Sequence, residues 1–436
     1  MKNQSFVQTS LETMQWFIFF LASSVALPIV IGAVFHMDFH QIAGLMQRTF
    51  FIVGLASLLQ GLFGHRLPIM EGPAGIWISI FTVMAATGLQ SGEGLDHTLR
   101  LLQTTMIFTG IFLVLIGVFR ISQKILPIFT PLVTGTFFLL LTVQLSGTFL
   151  EGMLGLQGEA ENIQVKEAGL AFLTFFIVLG LSTFAKGWLS SYSMFIGIIA
   201  GWILFVLIGG SSPQLESVSF FAVPELFAFG MPVWDLSVVP VALITSIILI
   251  SNVVASVVAI EQTLGAKTNS PLAVNRGTIL SGVNHGVAGV FSGIANVPLA
   301  TSAGFIGLTG QKRKKPFIYA SLILLIIAFF PPIVSFISSI PAPIANAALM
   351  ASFIQLVSLG IHNVTLQPLD NRKVTIVGIA YLIGMGTMFL PAEVFSNLPS
   401  IVQNVMSNGL LVGVTLVILI EQLWREKKTS GKENES

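Results

Sequence analysis

Carboxylates are scarce in this chain, and one of them stands in an unusual place. Glu71 lies in "HRLPIMEGPAGIWISIF" (65–81), an apolar stretch interrupted by Gly72, Pro73 and Gly75. An acid set that deep is costly, so it marks a place that uses it. It could accept hydrogen bonds from main-chain N–H groups freed by the break, or pair with His65 or Arg66. It could also carry a proton, because burial favours the neutral acid. A second interruption carries an amide: "SGIANVPLATSAG" (292–304) contains Asn296 and Pro298. Proline removes a helix donor and clashes with the preceding turn, and glycine permits strained backbone. Each break would start a half-helix near the middle of a span. Free N–H groups and a positive dipole end there favour carbonyl oxygens or anions. A mere kink is the alternative, since Pro and Gly are common in membrane helices.

Enzymatic chemistry has little to work with. The chain has no cysteine, which removes disulfides, thiolate metal sites and thiol nucleophiles. It shows no His–acid ligand pattern, no paired aspartates in spans and no Ser–His partnership at helical spacing, so neither an intramembrane enzyme nor a bound metal or cofactor is expected. No P-loop or Rossmann glycine pattern is present, which argues against ATP-driven transport. The net charge is +1, and no basic stripe interleaved with aromatics points to nucleic acid. Of the 436 residues, 54% are hydrophobic and 9% charged, with a mean hydropathy of +0.89. A soluble globular protein carries about 25% charged residues. The class is a polytopic membrane protein whose surroundings are the lipid bilayer.

A span takes about 20 apolar residues. On that length the spans fall near 14–35, 43–63, 70–88, 101–119, 126–147, 168–184, 189–209, 237–260, 274–294, 297–310, 317–338, 342–361, 374–390 and 400–424, fourteen in all. The first is too long for a signal-peptide core and is read as a retained span. If both termini are cytoplasmic, the inner loops gather Lys2, Arg66, Arg120, Lys124, Lys186, Lys267, Arg276, Lys312, Arg313, Lys314, Lys315, Arg372 and Lys373, while the outer side keeps Arg48, Arg100 and Lys166. Acids such as Asp38, Glu93, Glu159, Glu161, Glu216 and Asp235 fall outside. That asymmetry follows the positive-inside rule and predicts a multi-pass protein of the cell membrane. The tail "WREKKTSGKENES" has the composition of a disordered segment.

Fourteen spans divide as seven plus seven, and an odd-numbered repeat must be inverted relative to its twin. "ILPIFTPLVTGTFFLLL" (125–141) resembles "SIPAPIANAALMASFIQL" (339–356), span five against span twelve. The two interrupted spans, three and ten, are the third members of their halves. Interruptions at corresponding places in two halves point to a substrate site.

Four stretches carry a family resemblance: "MQWFIFFLASSVALP" (14–28), "LPIMEGPAGIWIS" (67–79), "LPIFTPLVTGTFFLLL" (126–141) and "SGIANVPLATSAG" (292–304). Over nearly its whole length the chain resembles the nucleobase–cation symporter-2 family, also called nucleobase–ascorbate transporters. The resemblance implies an all-α fold of two bundles. A core of spans one to four (1–120) and eight to eleven (237–338) would hold substrate. A gate of spans five to seven (121–236) and twelve to fourteen (339–424) would stand against it, leaving 425–436 as a polar tail. It implies import of a nucleobase, foremost a purine such as xanthine, urate or hypoxanthine, coupled to a proton or sodium ion, with the core sliding on the gate. Members of that family often act as homodimers.

The departures from the family pattern matter as much. In "LISNVVASVV" (249–258) Asn252 stands at the place of the span-eight carboxylate, and Ser256 where some members carry His or Asp. Ala295 replaces the acid or amide that opens the span-ten signature; Asn296 is kept, and Gly304 matches its end. Gly75 takes the place of a span-three aromatic whose backbone touches substrate. The resemblance and the breaks thus nominate Glu71, Gly75, Asn252, Ala295 and Asn296 for substrate, with Ser256 and Gln15 secondary, and Glu71 also for cation coupling. Amides donate and accept, which suits the edge of a purine or pyrimidine, yet an amide or hydroxyl in a bundle also serves simply to tie helices together. Gln144 is assigned to the gate. His285 in "SGVNHGVAG" (281–289) reads as packed between small residues rather than as a proton relay. "QKRKK" (311–315) reads as an anchor at the inner surface. The absent carboxylates leave an uncoupled or anion transporter on the same fold open, as well as a receptor or channel.

Overall fold

The computed structural model describes residues 2–90, 92–157, 162–208, 219–265, 271–395 and 397–424. Lys267, Glu159, Glu161, Glu216 and the tail 425–436 lie outside the described residues. Among the described residues seven helices are long and apolar enough to cross a bilayer. They are Phe6–Val34, Phe39–Leu62, Leu95–Val118, Pro131–Met153, Val165–Phe184, Leu236–Leu264 and Ala342–Thr365, here spans one, two, four, five, six, eight and twelve. Lys314–Ile327 and Pro331–Ser338 form span eleven, bent by 93°. Two shorter apolar helices, Ser193–Leu207 and Gly409–Leu423, make spans seven and fourteen. Pro271–Val290 and Asn371–Met388 are spans nine and thirteen.

Spans three and ten are half strand and half helix. Strand β1 (Glu71–Pro73) leads into the helix Gly75–Gln90, and strand β2 (Asn296–Pro298) leads into the helix Thr301–Thr309. The strands pair antiparallel, with Glu71 opposite Pro298, Gly72 opposite Val297 and Pro73 opposite Asn296. Pairing solves a physical problem. Backbone that leaves the helix inside a membrane must find partners within the protein, and each strand supplies the other's.

The packing obeys a two-fold exchange of halves. Span four lies along span nine, and span two along span eleven. Span one packs on span eleven as span eight packs on span four. Spans five and twelve, the two that resemble each other in sequence, pack together. Small residues allow these approaches: a Cβ on Gly135 would stand 2.7 Å from the Gly360 carbonyl oxygen, and one on Gly110 would meet the Gly282 carbonyl. The fold is thus an inverted repeat of seven and seven. One bundle surrounds the strand pair, and the other is built on spans five and twelve with their neighbours.

Spans one and four begin earlier than the sequence expectation, at Phe6 and Leu95, and three further boundaries differ for visible reasons. Span five starts at Pro131 and not near 126, because Thr130 caps it: its Oγ1 accepts from Val133 N at 3.2 Å, and proline fits the first helical position. The stretch before it forms a separate short helix, Ser122–Ile125, and a 3₁₀ turn, Leu126–Ile128. Span eleven turns at residues 328–330, just before Pro331 and Pro332, where the missing donors and proline's restriction on its predecessor end the helix. Span fourteen begins at Gly409, with the Asn408 side chain accepting from Leu411 N at 3.1 Å; a separate short helix, Ser400–Met406, precedes it.

Candidate functional site

The strand pair is held from four sides. Ala74 N donates to Ala295 O (3.3 Å) and Leu299 N to Met70 O (2.9 Å), extending the pairing at both ends. Met70 N donates to Ser302 Oγ at 3.1 Å. Glu71 N donates to Ser57 Oγ of span two at 2.9 Å. Ser256 Oγ of span eight donates to Pro298 O at 2.7 Å. The half-helix after β1 is fixed through Trp77, whose indole N–H donates to His285 Nε2 at 3.1 Å. The other ring nitrogen of His285 bonds Ser281 O at 2.7 Å. His285 is therefore a fully bonded anchor, with no nitrogen free for a relay.

What these bonds leave unspent defines the site. The main-chain N–H groups of Gly75 and Ile76 at one half-helix start, and of Ala300 and Thr301 at the other, have no partner among the described residues. The strands run antiparallel, so the two starts lie at opposite ends of the pair, separated by three residues of about 3.3 Å each. Both present donors and positive dipole ends. Ala300 and Thr301 are exposed. Gly75 is half-buried and turned to the other bundle: a Cβ there would be 3.3 Å from Leu141 Cδ2 of span five and 3.5 Å from Phe353 Cζ of span twelve.

Strand alternation sorts the remaining candidates. Residues opposite each other in a pair share a face, and successive residues alternate. Glu71, Pro73, Asn296 and Pro298 share one face; Gly72 and Val297 share the other. The Asn296 amide reaches span two. Oriented to satisfy its partners, it donates to Ile294 O (3.1 Å) and accepts from Val53 N (3.3 Å). Glu71 is fully buried on the same face, with Oε1 3.6 Å from His65 Nε2. A Cβ on Gly72 would instead meet Leu299, on the side away from span two.

The structure therefore divides the nominated residues. Gly75 stands between the bundles. Asn252 is half-buried on span eight, one turn before Ser256 on the same helix face, and its amide has no hydrogen bond among the described residues. The Ser256 hydroxyl is committed to Pro298, and the Asn296 amide to span two. Ala295 is buried and acts through its carbonyl on Ala74. Gln15 is half-buried, and its carbonyl accepts from Tyr192 Oη at 3.4 Å. Gln144 Oε1 accepts from Leu410 N at 2.9 Å, tying span five to span fourteen. In the "QKRKK" segment Arg313 Nη2 stands 2.8 Å from Glu12 Oε2, and the bond holds the guanidinium above its usual pKa. Reading the sequence missed Ala300 and Thr301, whose only signal is that they follow Pro298. It also missed the anchoring role of Trp77.

Residues 7–393 match the model of the Permease family, Xan_ur_permease, which is the nucleobase–cation symporter-2 family. This chain belongs to that family. YwdJ of Bacillus subtilis, a purine permease by name, is 30% identical over 428 residues, covering 97% of each chain. A xanthine permease of Bacillus subtilis is 27% identical, over 91% of this chain and 90% of its own. The uric acid transporter UacT of Escherichia coli is 24% identical, over 92% and 82%. Among solved structures, the transmembrane domain of the cyanobacterial bicarbonate transporter BicA superposes with a TM-score of 0.62 at 13% identity, covering 94% of this chain and 97% of that one. SLC26A9 gives 0.61 at 11% identity, over 93% and 65%. These structures establish the inverted-repeat fold of a multi-pass membrane protein. The symporter-2 relatives are named permeases and transporters, in keeping with the lack of enzymatic groups.

Proposed function

We propose that this protein is a permease of the cell membrane that imports a purine base by alternating access, coupled to a cation. The observation that carries this reading is the set of four unspent N–H groups at the two half-helix starts, beside the free amide of Asn252. An oxopurine presents carbonyl oxygens and ring N–H groups along its edge. The half-helix starts donate to the oxygens, and Asn252 accepts from a ring N–H and donates to its neighbour. The relatives named for purines, xanthine and uric acid support this substrate class.

Spans one to four and eight to eleven (1–120 and 237–338) act as the moving core, and the remaining spans as the gate. The contact of Gly75 with Leu141 and Phe353 is apolar and can slide, whereas the bonds from Tyr192 Oη to Gln15 O and from Asn404 Nδ2 to Ser237 O join core to gate and have to be exchanged when the core moves. Both termini lie in the cytoplasm, on the side that collects Arg66, Arg120, Arg276 and the 312–315 cluster. The chain works as a pair of copies.

The test is a melt of the purified protein in detergent with xanthine, urate, hypoxanthine, guanine, adenine, uracil, bicarbonate and sulfate. A ligand that binds only the folded state raises the melting temperature. A rise with one purine and none with the inorganic anions supports the reading. A rise with an anion alone moves it to an anion transporter, which bare half-helix ends would also serve. No rise with any base, and no base uptake by liposomes carrying the protein, ends it.

A further inference from the structure

The face of the strand pair turned away from the other bundle holds a second polar group, separate from the unspent N–H groups. Glu71 and His65 are both fully buried, and Glu71 Oε1 lies 3.6 Å from His65 Nε2. Among the described residues neither carboxylate oxygen has a hydrogen-bond partner, and neither does His65 Nε2. Three buried polar atoms thus face one another without a direct bond, where unpartnered groups are rare and expensive. The Glu71 main chain is already satisfied by Ser57, so nothing structural is asked of its side chain.

The imidazole is fixed in one tautomer. Leu67 N–H donates to His65 Nδ1 at 3.1 Å, so Nδ1 must keep its lone pair and the ring proton sits on Nε2, aimed at Glu71. A second proton on Nδ1 would break the bond from Leu67. The ring cannot trade protons cheaply; it serves as a fixed donor. The charged groups acting there are cations at the same end of the bundle: the charge of Lys314 reaches His65, and Arg66 follows it in the chain. Around it, Gln60 of span two accepts from His65 N, and Gly277 of span nine packs on its ring.

We propose that Glu71 carries the coupling proton of this transporter and that His65 is the positioning residue that makes the carboxylate form tenable. The proposal rests on the purine-permease reading and adds where the cation sits. On the side where proton is abundant an O–H bond forms at Glu71, leaving the dyad neutral. On the other side that bond breaks, the proton goes to water, and the carboxylate is held by the Nε2–H of His65. A buried, unneutralised carboxylate is penalised, so the base-loaded core moves with the proton on, and the emptied core returns with the carboxylate held by the Nε2–H of His65. With the Glu71 side chain on the face turned to span two and the base on the other, proton and base occupy different faces of one strand pair. They communicate through β1, which has Glu71 at its first residue and is followed by the free N–H groups of Gly75 and Ile76.

The experiment uses the whole chain in proteoliposomes, with whichever purine stabilises the wild type, under an imposed pH gradient and, separately, in exchange at equal pH. Glu71→Gln should still exchange the base, at a rate indifferent to pH, while accumulation driven by the gradient disappears. His65→Leu should keep gradient-driven accumulation but displace its pH midpoint upward by about one unit, because losing a donor disfavours the carboxylate. A merely structural dyad would lower both activities together and leave the midpoint in place. Gradient-driven accumulation surviving in Glu71→Gln overturns the proposal. So does an unmoved midpoint in His65→Leu, which decides the matter even if Glu71→Gln does not fold. If the wild type moves no base at all, the substrate reading has failed instead, and a base-independent proton uptake by the wild type that Glu71→Gln lacks still reports on the dyad.

Discussion

Asn252 and Ser256 are one turn apart on the same face of span eight, and the structure gives them opposite tasks. The Ser256 hydroxyl is spent on Pro298 O at 2.7 Å, and the Asn252 amide is unspent. Replacing each by alanine should separate fold from substrate. Removing Ser256 leaves a buried carbonyl without its donor, a cost of about 1–3 kcal/mol, which appears as a lower melting temperature without ligand. Removing Asn252 takes away no internal bond from a half-exposed position, so stability should change by no more than about 0.5 kcal/mol. Its loss falls on the base instead. Two neutral hydrogen bonds contribute about 0.5–1.5 kcal/mol each, and 1–3 kcal/mol weakens Kd roughly 5- to 150-fold. The assay is calorimetric titration of purified protein with the stabilising purine, beside a melt of each apo variant. The reasoning is refuted if Asn252→Ala binds like the parent, or if it melts as early as Ser256→Ala.

Other expectations follow from single contacts. His285→Leu leaves the Trp77 indole N–H buried without an acceptor and should cost about 1–3 kcal/mol, read as an earlier melt and a change in the fluorescence of the half-helix tryptophan. Gly75→Leu drives a side chain into Leu141 and Phe353, where even a Cβ is at 3.3–3.5 Å. Overpacking of about 1–3 kcal/mol at the face between the bundles should cut uptake at least several-fold while the protein still inserts, as checked by its yield in membranes. The hydrogen bond to Glu12 holds the Arg313 guanidinium above its ordinary pKa. A raised pKa of this kind gives stability that is fully present below the ordinary value and lost only as pH rises through the raised one. The pair should therefore add no slope to the melting temperature between about pH 6 and about pH 9, so Arg313→Gln and the wild type should show parallel pH profiles.

How far the sequence reaches can be seen at the two broken spans. Pro73 with Gly72 and Gly75, and Pro298 in its counterpart, carry the breaks in their own backbone chemistry, so the interruptions and their pairing across halves are legible. The direction of each side chain is not. Alternation along a strand says that Glu71 and Gly72 face opposite ways, but which way is set by span two, through Ser57 and Val53, far away in sequence. That is why Asn296, a plausible ligand by its position, turns inward, while Asn252 stays free. His65 is close enough in sequence to be considered beside Glu71, yet its role depends on the Leu67 N–H that fixes its tautomer. Ala300 and Thr301 carry no chemical signature; they matter because the helix begins there with its donors unspent. The 93° turn in span eleven was announced by Pro331 and Pro332, and a length criterion for spans passes over such a signal.

The central claim is that the base lies on the side of the strand pair away from span two, between the free N–H groups and Asn252. The direct measurement is an experimental structure of the protein with its stabilising purine. The account predicts ring density within hydrogen-bond distance of the Gly75 or Thr301 end of a half-helix and of the Asn252 amide, with Glu71 and His65 out of contact. Density on the other face, against Glu71 and Asn296, would contradict it.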